Sequence, residues 1–172
     1  IVANAGLACR LDGGAGNDTL DGGEGADTLS YASATSAVRV SVNTSSTFGG
    51  GGSDTTSGFE TVLGSNFSDR LRARNSNDGL HFEGGAGDDL ILATNSSNTW
   101  LNGGTGIDTL SYETNWWLGG LTIDLAINSN TSTRAWGGAS GDNISFFEKV
   151  IGSGMADRIA GDANANAIMG LG

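Results

Sequence analysis

The chain has 172 residues, of which 30 are glycine and none is proline, and it carries a formal net charge of −11. A collagen-like chain is excluded, because that fold needs proline and a glycine at every third position. Nucleic acid is excluded as a favourable partner, because a chain this acidic repels phosphate. The sequence has no run close to the ~18 apolar residues of a membrane span and no signal-peptide pattern after Ile1.

The residue types favour turns and short strands over helices. Glycine costs up to ~1 kcal/mol in a helix interior, and Asn, Asp, Ser and Thr prefer turns. The 14 aspartates outnumber the 5 glutamates, whereas a merely solvated acidic surface uses both residues. Short carboxylates beside glycine indicate tight turns, or carboxylates held close to backbone carbonyls, which is how hard cations are bound.

In chain order, the predicted elements repeat every nine residues. Each copy reads Gly-Gly-x-Gly-x-Asp-x-U-x, where U is an apolar residue. Full copies occupy residues 13–21, 22–30, 84–92 and 103–111, and weaker copies occupy 64–72 and 152–160. Residues 161–169 keep the period with Asn166 in place of the acid.

The nine residues predict a six-residue turn followed by a three-residue strand. Glycines in the turn supply positive φ and let neighbouring backbones approach closely. The middle residue of each strand is predicted to point inward; these residues are Leu20, Leu29, Leu71, Ile91, Leu110, Ile159 and Ile168. Strands this short are stable only when stacked on their neighbours, so two nonapeptides should form one coil of a shared core.

A second, longer period of 81 to 88 residues divides the chain. Tyr31 corresponds to Tyr112, and Phe59 corresponds to Phe147. Val38, Val40 and Val42 likewise correspond to Leu121, Ile123 and Leu125. The chain is therefore predicted to be two tandem modules, 1–92 and 93–172, each with nonapeptides and one wider insert. The paired aromatic residues are expected to fill the wider core under the inserts.

The tandem nonapeptides resemble the RTX (repeats-in-toxin) calcium-binding family. The resemblance covers nearly the whole chain when degenerate copies are counted, but it includes no catalytic domain. It implies an all-β fold, a right-handed parallel β-roll or β-solenoid with two nonapeptides per coil. It also implies several bound Ca²⁺ ions and a secreted or cell-surface location in a Gram-negative bacterium.

In the RTX roll, as the resemblance implies, each ion lies between turn n and turn n+2 on one edge. Backbone carbonyls and the sixth-position Asp of both turns supply the oxygens, which suits calcium. Counting turns places 64–69, 84–89 and 103–108 consecutively on one edge. The first predicted site lies between Asp89 and Asp108, and the second between Asp69 and Asp89. The predicted ligands are Gly64, Asn66, Asp69, Gly84, Ala86, Asp89, Gly103, Thr105 and Asp108.

Three further aspartates match the pattern but have weaker partners. Asp18 is expected to face the insert after Tyr31, and Asp27 to face the degenerate turn near Asn4, so these sites could be half-formed or empty. Asp157 needs a partner turn starting at Gly170. We therefore expect the sequence to be a segment of a longer roll.

No residue pattern indicates catalysis, and the chain is predicted not to be an enzyme. Cys9 is interpreted as a small buried or half-exposed residue. His81, the single histidine, has no Cys or Glu at ligand spacing and falls at an outward strand position. Trp100 is also predicted to be outward. Trp116, Trp117 and Trp136 could cover the core, line a sugar-binding surface or contact a neighbouring molecule.

Assigning the strands in order to the two faces of the roll makes strands 38–42 and 70–72 neighbours. Arg39, Arg70 and Arg72 are therefore predicted to project outward together, with Arg74 nearby. They could form a solvated face that balances the acidic turns, or a patch for an anionic polysaccharide.

The leading hypothesis is a calcium-loaded β-roll that folds outside the cell and acts as a rigid spacer or as a surface-layer, adhesin or filament module. Its partners would then be calcium, adjacent repeats or further copies. One alternative is an accessory module of a secreted enzyme, resembling those of alginate epimerases or serralysin-type proteases, that aids folding or polysaccharide binding. Another is an ice-binding or adhesive roll, for which Thr105 is a weak indication.

Overall fold

The computed structural model describes residues 1–3, 6–42, 46–50, 52–72, 79–93, 98–114, 120–126 and 142–172. Its regular elements within these ranges are all β-strands. In chain order they are β1 (Arg10–Leu11), β2 (Thr19–Asp21), β3 (Thr28–Ser30), β4 (Val38–Ser41), β5 (Ser46–Gly49), β6 (Gly52–Ser57), β7 (Thr61–Leu63), β8 (Arg70–Arg72), β9 (His81–Ala86), β10 (Leu90–Leu92), β11 (Trp100–Thr105), β12 (Thr109–Ser111), β13 (Thr122–Asp124), β14 (Asn143–Ser145), β15 (Lys149–Ile151), β16 (Arg158–Ala160) and β17 (Ala167–Met169).

Most strands pair in parallel with a strand that lies two strands away in sequence. One sheet has the order β1-β3-β7-β9-β11-β14, a second has β17-β15-β12-β10-β8-β4-β5-β6-β2, and β13 pairs with β16. From β7 to β12, consecutive strands alternate between the first two sheets. In this region the turns after β7, β9 and β11 therefore lie next to one another at one edge.

The register aligns the middle residues of successive strands. Leu71 pairs with Ile91, and Ile91 pairs with Leu110. Each is 0 % exposed, as are Leu20 and Val150. One inward residue per short strand thus forms a continuous core, as the repeat predicted.

The aromatic residues of the inserts lie in the same core. Tyr31, Phe59, Tyr112 and Phe147 are each at most 6 % exposed. The two tyrosine hydroxyls donate to buried carboxylates, Tyr31 to Asp54 at 3.1 Å and Tyr112 to Asp142 at 3.2 Å. The prediction that these rings fill the core under the inserts is confirmed.

Three sequence predictions about the strands are wrong in detail. Ile168 is 45 % exposed, because β17 is an edge strand that pairs on one side only. Strand β5 pairs antiparallel with both β4 and β6, and the reversal from β5 into β6 uses Gly49 and Gly50, which have φ of 102° and 65°. Strands β9 and β11 are six residues long, not three, because their pairing continues through the first residues of the following turns.

Outward positions agree with the alternation of the strands. Trp100 is 55 % exposed, and Arg39 is exposed on the strand whose neighbours Val38 and Val40 are buried. Trp116, Trp117, Trp136 and Arg74 lie outside the described residues. Within the described ranges, no helix has the length and apolar character needed to cross a membrane.

Candidate metal centre

The aspartates at the sixth position of stacked turns form a ladder. The backbone N–H of Asp69 donates to Asp89 Oδ1 at 2.8 Å, and the N–H of Asp89 donates to Asp108 Oδ1 at 2.8 Å. The N–H of Val38 donates to Asp69 Oδ1, also at 2.8 Å. The structure therefore brings Asp69, Asp89 and Asp108 together in the order that the turn counting predicted.

Glu148 continues the ladder, Glu60 makes the equivalent contact with Asp27 in a separate stack of turns, and sequence reasoning missed both glutamates. The N–H of Asp108 donates to Glu148 Oε2 at 2.8 Å, and the N–H of Asp27 donates to Glu60 Oε2 at 2.8 Å. The signal was present, because Glu60 and Glu148 follow the equivalent Phe59 and Phe147 directly. Each glutamate occupies the place that the next aspartate would take.

Among the aspartates that the structure describes, four keep one buried oxygen without a hydrogen bond. This atom is Oδ2 in each case; the residues are Asp18, Asp27, Asp89 and Asp108. Asp89 and Asp108 are 1 % and 0 % exposed. A buried carboxylate oxygen with no donor is costly, because it has lost its water without replacement.

These four residues belong to turns whose second residue is glycine, at 13–18, 22–27, 84–89 and 103–108, which we call the glycine-type turns. The second glycines have positive φ: Gly14 73°, Gly23 81°, Gly85 108° and Gly104 105°. In these turns no N–H from the same turn reaches the second carboxylate oxygen. The free Oδ2 therefore remains available to an added cation.

Turns 64–69 and 152–157, the serine-type turns, differ. The N–H of Ser65 donates to Asp69 Oδ2 at 2.5 Å, and its hydroxyl donates to Oδ1 at 2.8 Å. Ser153 makes the same two bonds to Asp157, at 2.7 and 2.8 Å. Both oxygens of each aspartate are thus satisfied by the chain itself.

Backbone carbonyls converge on the free oxygens of the glycine-type turns. A Cβ atom placed on Gly84 would overlap both Asp89 Oδ2 and the Gly103 carbonyl oxygen of the next turn. On Gly103 it would overlap the Phe146 carbonyl oxygen and approach Asp108 Oδ2 within 2.8 Å. Among the described residues no group of three His, Cys, Asp or Glu side chains could hold a metal. A cation at these turns would therefore rely mainly on carbonyl oxygens, which suits Ca²⁺.

The surroundings of the ladder oppose negative charge. Burial is the main cause that raises the pKa of Asp89 to about 7; the carboxylates of Asp69, Asp108 and Asp88 contribute to this rise, and the hydrogen bond from Asp69 opposes it. Burial also raises the pKa of Asp108, with a further contribution from Glu148. A cation beside these carboxylates would relieve both effects.

The remaining predicted ligands are placed as follows. Asp18 lies beside the insert, where its N–H donates to Asp54 Oδ1 at 3.0 Å. Asp27 Oδ1 accepts from the N–H of Cys9 at 2.8 Å, in the turn that follows Asn4. Asp157 Oδ1 accepts from the N–H of Leu121 at 2.8 Å, which repeats the Val38–Asp69 bond of the first module.

Two predicted ligands lie in paired strands, and the carbonyl of one of them already accepts a backbone hydrogen bond. Ala86 pairs with Thr105 across β9 and β11, and the Thr105 carbonyl accepts from the N–H of Gly87 at 2.9 Å. Asn66 is exposed in its serine-type turn. His81 pairs with Glu83 at 3.3 Å on the outer face.

Comparison with known protein families identifies the repeat to which these turns belong. A model of the RTX calcium-binding nonapeptide repeat matches residues 10–33 and 54–91, in four copies. The chain carries RTX calcium-binding repeats. The matched ranges hold three glycine-type turns and the serine-type turn 64–69, whereas the copies at 103–111 and 152–160 rest on the sequence pattern. A search of curated proteins finds no match.

RTX repeats are calcium-binding, so the ion that fits the free oxygens is Ca²⁺. This agrees with the donor set, which contains oxygen atoms and no thiolate or imidazole at the turns.

Proposed function

We propose that this chain is a calcium-dependent structural module of a secreted or cell-surface protein. In this proposal it forms a right-handed parallel β-roll with two nonapeptides per coil, binds several Ca²⁺ ions, and has no catalytic activity of its own. About seven coils at ~4.8 Å each give a rod roughly 34 Å long. Such a rod would act as a spacer or as an assembly element in a larger surface structure.

One observation carries this proposal: the four buried, unpartnered Oδ2 atoms of the glycine-type turns. Calcium supplies positive charge and takes oxygen ligands there. Without it, the stacked carboxylates of Asp69, Asp89 and Asp108 repel one another across successive strands, in a chain whose formal charge is already −11. Folding is therefore expected to require calcium at the ~10⁻⁴ to 10⁻³ M levels typical of extracellular modules.

The test is circular dichroism of the whole chain in excess chelator and in millimolar calcium. We expect a disordered spectrum in chelator and a β-sheet spectrum with calcium. Magnesium at the same concentration is the control, because Mg²⁺ demands octahedral geometry and releases its waters reluctantly. The same β-sheet spectrum with and without calcium would contradict the proposal.

The spacer role has a separate test. Small-angle X-ray scattering of the calcium-loaded chain should give an elongated particle, and electron microscopy at high concentration should show whether calcium promotes filaments or lattices. A calcium-loaded particle that is spherical and never self-associates would agree with a calcium-binding module, but it would contradict the spacer and assembly role.

A further inference from the structure

Three arginines lie side by side on the outer face of strands β4 and β8. Arg39 pairs directly with Arg70, and Arg72 pairs with Ser41 one position further along the same strands. Neighbouring strands are ~4.8 Å apart, and residues two apart on a strand are ~6.6 Å apart. We call Arg39, Arg70 and Arg72 the arginine patch.

No acid neutralises this patch within the described part of the chain. In the described residues the ion pair is His81–Glu83, which lies on β9 and outside the patch. None of the three guanidinium groups of the patch lies within 4.0 Å of a carboxylate oxygen. The Nε atom of Arg72 is buried and has no hydrogen-bond partner. Like charges placed directly opposite on neighbouring strands destabilise a sheet. The three arginines therefore do not stabilise the fold through their charges, although the protein as a whole is acidic.

The second module shows that the fold does not need the patch. Strands β13 and β16 pair as β4 and β8 do, and the corresponding bonds Val38–Asp69 and Leu121–Asp157 are both 2.8 Å. At the places of Arg39, Arg70 and Arg72 the second module has Thr122, Arg158 and Ala160. Two of the three arginines are therefore specific to the first module.

A shallow groove of about 340 Å³ adjoins the patch. It is lined by Arg39, Phe48, Ser68 and Arg70, among others. Phe48 pairs with Arg39 across β4 and β5 and is 54 % exposed. The groove therefore offers two cations, a hydroxyl and an apolar ring on one surface.

We propose that the arginine patch and its groove bind an anionic polysaccharide. Arginine presents a planar fork that binds carboxylate and sulfate groups with two parallel hydrogen bonds. Cations spread over two strands suit an extended chain of charges better than one small anion, and the Phe48 ring can pack against a sugar face. This inference goes beyond the proposed calcium-dependent module, since that module would fold and act as a spacer without any such ligand.

The test measures binding of short galacturonate oligomers, sulfated dextran and neutral dextran to the calcium-loaded chain by titration calorimetry. We expect both anionic ligands to bind and neutral dextran not to bind. The variant Arg39→Thr/Arg72→Ala copies the second module's residues, so its fold should be preserved, and circular dichroism verifies this. It should bind at least about tenfold more weakly, a loss of about 1.4 kcal/mol, because the variant lacks two donors of charge-assisted hydrogen bonds.

The matched control Arg10→Ser/Arg158→Ser removes the same charge elsewhere and should bind like the native chain. An equal loss of affinity in both double variants would show that the effect comes from overall charge, and it would overturn the proposal. So would tighter binding of a single-stranded DNA oligomer, or a patch-dependent dimer that binds no oligosaccharide, which would assign the patch to another class of partner.

Discussion

Asp89 and Asp69 occupy the same place in successive turns, yet the chain treats their second oxygens differently. In the turn of Asp69 a serine N–H donates to Oδ2 at 2.5 Å, whereas Oδ2 of Asp89 is buried without a donor. Ser65 and Ser153 are not among the described non-glycine residues with positive φ, which are Asn98 and Phe146. The residue at the second turn position thus distinguishes turns that need a cation from turns closed by the chain.

This difference leads to opposite expectations for two equivalent variants. Asp89→Asn removes a charged oxygen that only a cation can satisfy, so it should lower the number of bound calcium ions by at least one. It should also stabilise the calcium-free fold, because an amide removes a buried charge. Calorimetric titration counts the ions, and the β-sheet circular-dichroism signal in chelator reports how much of the calcium-free fold is populated.

Asp69→Asn is the matched control. The number of bound ions should stay the same, while the calcium-loaded fold loses about 1–3 kcal/mol, because an amide group would face the Ser65 N–H that now donates to Oδ2. If Asp69→Asn removes as many ions as Asp89→Asn, the serine-type turns bind calcium, and the distinction drawn from the free oxygens is wrong.

The sequence could predict which aspartates stack, but not which of them are already satisfied. The nine-residue period places Asp69, Asp89 and Asp108 on one edge, and the structure agrees. From the sequence, Asp69 was predicted to be a calcium ligand in a turn that matches the repeat pattern only weakly. A Gly-Ser start instead of Gly-Gly was visible at residues 64 and 152, but its effect depends on the backbone direction at Ser65, which a residue pattern does not contain.

Turns are held together by backbone contacts that exclude side chains. A Cβ on Gly85 would overlap the Ser65 carbonyl oxygen of the adjacent turn, whereas a Cβ on Gly16 meets no atom within 4 Å. Both glycines have similar positive φ, 108° and 115°. The two positions therefore share the backbone strain of a substitution and differ in the stacking contact.

Gly85→Ala should consequently destabilise the calcium-loaded chain much more than Gly16→Ala. The shared strain amounts to about 1–2 kcal/mol, and only Gly85→Ala must also separate two turns at the Asp69–Asp89 step. Thermal unfolding in millimolar calcium compares the two variants. Equal losses would show that turn stacking at Gly85 is loose enough to accept a methyl group.

The inserts were predictable as elements but not in their internal pairing. The sequence placed Tyr31 and Tyr112 correctly in the core. It did not show that each hydroxyl donates to a buried aspartate, Asp54 or Asp142, that lies many residues away in the insert. The antiparallel strand β5 was also missed, since its pairing with β6 depends on a reversal at two glycines within a glycine-rich stretch.

Tyr112→Phe tests the buried pair in the second insert. It removes the bond to Asp142 Oδ2, while Thr99 continues to donate to Oδ1 at 3.0 Å from its N–H and 2.5 Å from its hydroxyl. We expect a loss of about 1–3 kcal/mol in unfolding free energy, the cost of one unsatisfied buried acceptor. A double-mutant cycle with Asp142→Asn should recover part of the loss, and simple additivity would show that the two groups do not interact.

For the molecule as a whole, the buried carboxylates act against the fold in the absence of a cation. Burial raises the pKa of Asp142 to about 6, a net value that includes the lowering effect of the hydrogen bonds from Thr99 and Tyr112. Burial together with neighbouring carboxylates raises the pKa of Asp89 to about 7. Both values lie above the ordinary carboxyl value of 3.8. The folded chain therefore holds these protons more tightly than the unfolded chain does.

The sign of the pH effect follows from this difference in proton binding. Above about pH 7 both groups are ionised in either state, and the full cost of burying their charge opposes folding. As pH falls through about 7 and 6 the folded chain takes up protons first, so the stability of the calcium-free fold rises until about pH 4. The β-sheet signal in chelator should therefore be larger at pH 5 than at pH 8.

The same protons should compete with calcium at the ladder. The calcium concentration needed for half-maximal ion binding is expected to be higher at pH 6 than at pH 8, because the folded calcium-free form that gains stability at low pH holds a proton on Asp89, and that proton must leave before Asp89 can serve as a charged ligand. Titration calorimetry at the two pH values measures the shift, and calcium binding at pH 6 should release protons to the buffer. In Asp89→Asn the shift should shrink, since the main competing proton is gone. An equal shift in the native chain and in Asp89→Asn would place the competing proton on another carboxylate and remove Asp89 from the explanation.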